Sequence, residues 1–127
     1  MTKNKIFKFI AILIKNGNIK KYGVEIGLNA KISDGFHIAH LNGIVIGDKA
    51  IIGENFTIYQ QVTIGQKDGL YPVIKDNVIL YPGSKVIGDI VIESGAKIGA
   101  NALVLKNVGF EQISLGYIAK NYDIRKG

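Results

Sequence analysis

Residues 74–104 read IKDNVILYPGSKVIGDIVIESGAKIGANALV. Written in sixes, the stretch puts an aliphatic residue at the head of every unit: Ile74, Leu80, Val86, Ile92, Ile98 and Val104. Upstream, Ile46, Ile52, Ile58 and Ile64 hold the same period after a four-residue slip, and Ile26, Ile32 and Ile38 hold it after a further two-residue slip. The position two before each head is small or apolar, as at Val24, Ala50, Phe56, Val78, Ser84 and Ala102. Internal periodicity has to be read before any local assignment. Six residues match neither the 3.6-residue turn of an amphipathic helix nor a hairpin meander. They match a short strand and a corner, three such units closing one triangular coil of about 18 residues. The head residue then points inward and stacks on its counterparts above and below. Asn29, Asp34, Asp48, Asn55, Asp76, Gly83, Gly95 and Asn101 lie near the corner phase, where residues that tolerate turns or positive φ belong. A β-sandwich would show varied turn spacing instead of one phase. The expected fold is an all-β solenoid, a left-handed parallel β-helix. About four coils at roughly 4.8 Å each make a prism on the order of 20 Å tall.

The bulk numbers agree with one domain. The chain has 127 residues, 47% of them apolar and 20% charged, which excludes a disordered chain. Cysteine is absent, which removes disulfides, Cys-ligated metal sites and a thiol nucleophile. With two histidines no metal site is expected. The apolar run Phe9–Ile14 is too short to span a bilayer, and no small-residue cleavage site follows it. A cytoplasmic location is expected. The net charge of +6 fits nucleic acid, anionic lipid, an anionic small molecule or a plain solvated surface. Lys20-Lys21 is the only adjacent basic pair before Arg125-Lys126. With no helix-turn-helix or zinc-finger pattern, nucleic acid is not an expected partner.

Residues 3–16, KNKIFKFIAILIKN, carry Ile6, Phe9, Ile10, Leu13 and Ile14 at helical spacing, with Asn4 as a candidate cap and Gly17 as the expected stop. Phe7 and Ile12 widen the apolar surface. Such a helix packs on the coil end or a partner subunit; weak attachment to an anionic membrane through Lys3, Lys5, Lys8 and Lys15 is the alternative. The expected organisation is helix and linker over 1–22, β-helix over 23–108, and a C-terminal capping strand and tail over 109–127. The last regular coil is expected to end near Val104. Ile113, Leu115, Gly116 and Ile118 suggest a strand that covers the open end.

The slips in the repeat mark two insertions, at His40-Leu41-Asn42-Gly43 and within GQKDGLYP near Gln66–Tyr71. Departures from a solenoid repeat become loops, and these often form the binding face. The second has a polar tip, Lys67-Asp68-Gly69, able to move over a ligand. His40 sits at a corner, and Glu25 stands fifteen residues earlier, a little under one coil. A carboxylate beside an imidazole sets its tautomer and suits it to act as a general base toward a hydroxyl. On spacing alone, His40 as bystander stays open. His37 reads as surface. No G-x-S-x-G, Walker loop or H-E-x-x-H is present.

The segments ISDGFHIAHLNGIVIGDKAIIGENFTIYQQVTIG, PGSKVIGDIVIESGAKIGANALVLKNV and SLGYIAK together resemble the hexapeptide-repeat acyltransferases, and within them the serine O-acetyltransferase branch. The resemblance implies a homotrimer with acetyl-CoA in the cleft between adjacent prisms, and direct transfer from the thioester to a hydroxyl. His40 matches the family's catalytic histidine, and Glu25 falls where the family has an Asp that orients it. Gly65 matches a stretch near the thioester. Pro82, Gly83 and Ala100 match positions flanking pantetheine, and Lys97 one near the adenine-phosphate end. CoA phosphates would also use the positive charge. No metal and no transmembrane segment are implied.

Three departures bear on the acceptor. Ala39 replaces an Asp before the catalytic histidine, Tyr71 replaces a second histidine before Pro72, and Leu70 replaces an Arg in a shortened loop. These positions help hold a charged amino acid in the family, and an ammonium without its carboxylate partner is a poor ligand in a partly dry cleft. Against the family's large helical N-terminal domain, one helix and a linker are expected here. With those groups lost, the resemblance to similar proteins that decorate surface polysaccharides implies a neutral sugar hydroxyl as acceptor, with serine O-acetylation and a non-catalytic scaffold as the alternatives.

Overall fold

Parallel strands one coil apart close into a prism when each coil returns to the same phase. A computed structural model describes residues 3–117 and 119–124; Ile118, Arg125 and Lys126, invoked above, lie outside the described residues. The first face stacks β1 (Val24–Ile26), β4 (Ile44–Ile46), β7 (Thr63–Gly65), β10 (Lys85–Ile87) and β13 (Leu103–Val104). The second stacks β2 (Lys31–Ile32), β5 (Ile51–Ile52), β8 (Val73–Ile74) and β11 (Val91–Ile92). The third stacks β3 (His37–Ile38), β6 (Thr57–Ile58), β9 (Ile79–Leu80), β12 (Lys97–Ile98) and β14 (Gln112–Leu115), with β15 (Lys120–Asp123) antiparallel at its edge. The result is a left-handed parallel β-solenoid with an N-terminal helix.

The hexapeptide heads form the core. Ile26, Ile46, Ile64, Val86 and Val104 align on the first face, and Ile32, Ile52, Ile74 and Ile92 on the second. Ile38, Ile58, Leu80 and Ile98 align on the third. From Ile46 to Val104 the heads are buried, while Ile26, Ile32 and Ile38 are half-buried at the first coil, where no coil lies below. The corner between the second and third faces repeats one backbone device. Gly35, Asn55, Asn77, Gly95 and Glu111 all have positive φ, and each from Asn55 onward donates its N–H to the coil before it. Asn77, not the neighbouring Asp76, takes the left-handed position, which Asn occupies at little cost.

Two expectations are corrected. Gly17 does not end the helix: α1 (Lys3–Tyr22) runs through it. A lone helical glycine costs only about 1 kcal/mol against alanine, too little to stop a helix that continues productively. The stop is Gly23, which has φ 64° and donates its N–H to the Ile19 carbonyl at 3.1 Å. Nor does the regular coil end at Val104. Val108 bridges to Ile92, and β14 pairs with β12 so that Ser114 stands on Ile98. The phase persists with a serine in an inward place, which aliphatic periodicity could not register. Ser114 is buried and its hydroxyl bonds to Asn121, whose side-chain amide donates to the Asn107 carbonyl at 2.7 Å. Tyr117 and Ala119 bond to Leu103, so the returning chain also covers the edge of the first face.

Phe56 is fully buried and its ring stacks on Phe36 at 5.9 Å. Phe56→Ala should lower unfolding free energy by about 3–5 kcal/mol, read from urea denaturation followed by circular dichroism.

Candidate active site

His40 leaves the end of β3 on the edge between the third and first faces. The corner that follows is longer than its counterparts and is clamped at both levels. Asn42 and Gly43 adopt positive φ of 79° and 69°. Asn42 N–H donates to the Tyr22 carbonyl at 3.2 Å, Ile44 N–H to Gly23 at 3.2 Å, and Gln61 N–H to the Asn42 carbonyl at 2.9 Å. The imidazole is exposed and its ring lies 5.8 Å from Tyr59, which stacks on Tyr81 at 5.4 Å. Sequence reasoning missed this aromatic stair. The signal was present: Tyr59 and Tyr81 follow Ile58 and Leu80 as Ala39 follows Ile38. The rings give the imidazole a rigid apolar flank.

Glu25 lies on β1, aligned with Val45, two residues beyond the Gly23 over which the His40 corner passes. The structure does not join the two in a hydrogen bond. One carboxylate oxygen instead pairs with the Lys15 ammonium of α1 at 3.3 Å. Both side chains are partly exposed, so the pair contributes at most about 1 kcal/mol. Among the described residues the other carboxylate oxygen has no partner.

The remaining predicted residues divide between two edges. By register, His40, Gln60, Pro82 and Ala100 form one column. Gly83 stands beside it, with φ 72° and its N–H donating to the Gln60 carbonyl at 3.0 Å. Ala39 is half-buried there, its N–H bonded to Ile58 at 2.9 Å. Gln60 Oε1 is buried with no partner among the described residues. Gly65 ends β7 and Tyr71 precedes β8, both at the opposite edge of the first face. The Tyr71 ring lies against Gly47, where no Cβ would fit. Lys97 is on the third face in β12, between Ile79 and Ile113.

The longer loop folds into a tight turn. Lys67 and Leu70 exchange backbone hydrogen bonds at 3.0 Å around Asp68 and Gly69, both with positive φ. That is the mirror-image two-residue turn favoured by Asp-Gly. Gly69 N–H also donates to Gln66 Oε1 at 2.8 Å. A recess of about 250 Å³ lies between this turn and Ile87, Gly88 and Asp89; His40 does not line it. Among the described residues no group of three or more His, Cys, Asp or Glu is placed to hold a metal ion.

The family model for bacterial transferase hexapeptide, six repeats, matches residues 71–106. A serine acetyltransferase of Staphylococcus epidermidis is 48% identical over 90 residues, covering 68% of this chain and 42% of that protein. A solved serine acetyltransferase in complex with CoA is 32% identical with a TM-score of 0.86, covering 94% of this chain and 50% of the other. The chain belongs to the hexapeptide-repeat, serine acetyltransferase-like acyltransferase family. A further member, soybean serine acetyltransferase complexed with serine, aligns with a TM-score of 0.84 at 31% identity over 89% of this chain and 48% of that one. This chain thus spans about half the length of the family members it matches.

Charge at the edge between the first and second faces is organised by Asp48. Its carboxylate accepts from the Asn29 side-chain amide at 2.9 Å and from the Asn29 backbone at 3.2 Å. These bonds, helped by the charge of Lys15, hold the Asp48 carboxyl below the usual aspartate range. A depressed folded-state value adds stability above the unfolded value, and that stability is lost as pH falls through the folded one. Asn29→Ala should therefore melt earlier than the parent at neutral pH, with the gap closing as pH drops below the ordinary aspartate range, read by thermal melts across pH.

Proposed function

We propose that this chain is an acetyl-CoA-dependent O-acetyltransferase with His40 as its general base. The observation that carries the reading is the superposition of 94% of the chain on a serine acetyltransferase solved with CoA. The sugar acceptor expected from the sequence finds no support in the relatives described above, which are serine acetyltransferases. L-Serine is the acceptor they favour. Ala39, Leu70 and Tyr71 favour the sugar hydroxyl as the second reading.

In the proposed reaction, His40 takes the proton of the acceptor hydroxyl as its oxygen attacks the acetyl carbonyl carbon. A tetrahedral oxyanion forms, the carbon–sulfur bond breaks, and the imidazolium returns the proton to the departing thiolate. The free oxygen of Glu25 is assigned to orient the imidazole and offset its charge. Pro82, Gly83 and Ala100 are assigned to the pantetheine arm, Gly65 to the thioester region and Lys97 to the phosphate end. Ala39 and Tyr71 face the acceptor in this scheme. The split of these residues between two edges of one face supports a homotrimer, in which the Gly65–Tyr71 edge of one chain meets the His40 edge of the next. Holding both reactants in one cleft supplies much of the rate gain.

Purified protein incubated with acetyl-CoA and L-serine should release thiol in a serine-dependent manner. His40→Ala should lower kcat by about 100- to 10,000-fold while the melting curve stays unchanged. Thiol release with a glycan and none with serine would return the reading to the sugar acceptor. Full activity in His40→Ala would remove the base assignment.

A further inference from the structure

Helix α1 carries the whole positive excess of the protein. It contains six lysines and no acidic residue. Outside it, ten basic and ten acidic residues remain, so the rest of the chain balances. The helix rests against the coil through Ala11, Lys15 and Asn18, its half-buried residues. The opposite side presents Ile6, Phe9, Ile10, Leu13 and Ile14 at spacings of three and four, with Phe7 beside them. Phe7 and Phe9 are each 60% exposed. None of the helix side chains is buried, so this apolar strip adds nothing to the core of its own chain.

We propose that α1 lies in the plane of an anionic lipid bilayer, with this strip in the headgroup and acyl boundary. No helix among the described residues is long and apolar enough to cross a membrane, which leaves the in-plane orientation. Charge complementarity selects this occupant over a second copy. Lys3 and Lys21 stand at the two ends of the strip, while Lys5 and Lys20 border it. Two such helices side by side would bring like charges together, whereas anionic headgroups neutralise them while the lysine stems cover apolar surface. Lys15 is already committed to Glu25 on the coil side. The proposal does not depend on the acetyl-transfer reading.

The test uses the full chain and sedimentation with vesicles of phosphatidylcholine alone, or with about a third of the lipid replaced by phosphatidylglycerol. The chain should bind the anionic vesicles, weaken as salt rises, and stay free of the neutral ones. Lys5→Gln and Lys20→Gln should each reduce binding about fivefold. Phe9→Ser with Leu13→Ser should abolish it, with the circular dichroism melt of the coil and the mass by light scattering unchanged. Equal binding to both vesicle types, or undiminished binding by Phe9→Ser/Leu13→Ser, would overturn the proposal. So would absent vesicle binding together with a loss of oligomeric mass in that variant, which would assign the strip to a second copy.

Discussion

Every part of this molecule depends on parallel backbone pairing between residues one coil apart. Ile46 pairs with Ile64, and Lys85 with Leu103, each eighteen positions on. Where the chain is longer the pairing survives: Ile26 meets Ile46 across the His40 insertion, and Ile52 meets Ile74 across the Gln66–Tyr71 insertion. Extra residues leave at the corners because strand positions have inward neighbours above and below, with no room to shift by one. A slip of one residue would turn every buried isoleucine outward. The corners carry no such penalty, and this is where chemistry can be added.

The site inherits its geometry from that division. His40 rides on a corner clamped to Tyr22 below and Gln61 above, and Tyr59 and Tyr81 continue its edge upward. The aromatic rings arrive there because each follows an inward residue of the third face. Tyr71 and Gly65 belong to the other edge of the first face. A prism with three flat sides does not bring its own edges together, and the proposed assembly rests on that separation.

The helix obeys a different rule. It is tied to the coil at Gly23 and through the Lys15–Glu25 pair, while its apolar residues face away from the core. Lys15 also helps lower the Asp48 carboxyl. One lysine thus links the helix to two coil carboxylates, one of them the residue assigned to orient His40.

The phase of the repeat, read from Ile26 to Val104, was enough to place the inward aliphatic residues of that stretch, because three periods of six return each head to the same face of the coil. It also located both insertions, and the Asp68-Gly69 pair that makes the second a tight turn was visible as letters. The helix end and the final coil were not legible. Gly17 and Gly23 are the same letter, and only Gly23 has a carbonyl placed to receive its N–H in a left-handed turn. Ser114 breaks the aliphatic pattern while keeping its place, because Asn121 folds back to satisfy its hydroxyl. The partner of Glu25 was equally beyond the sequence. Fifteen residues of spacing can bring a carboxylate near a histidine, but which charge it meets depends on where a separate helix lays its lysine, and that is decided by packing in three dimensions.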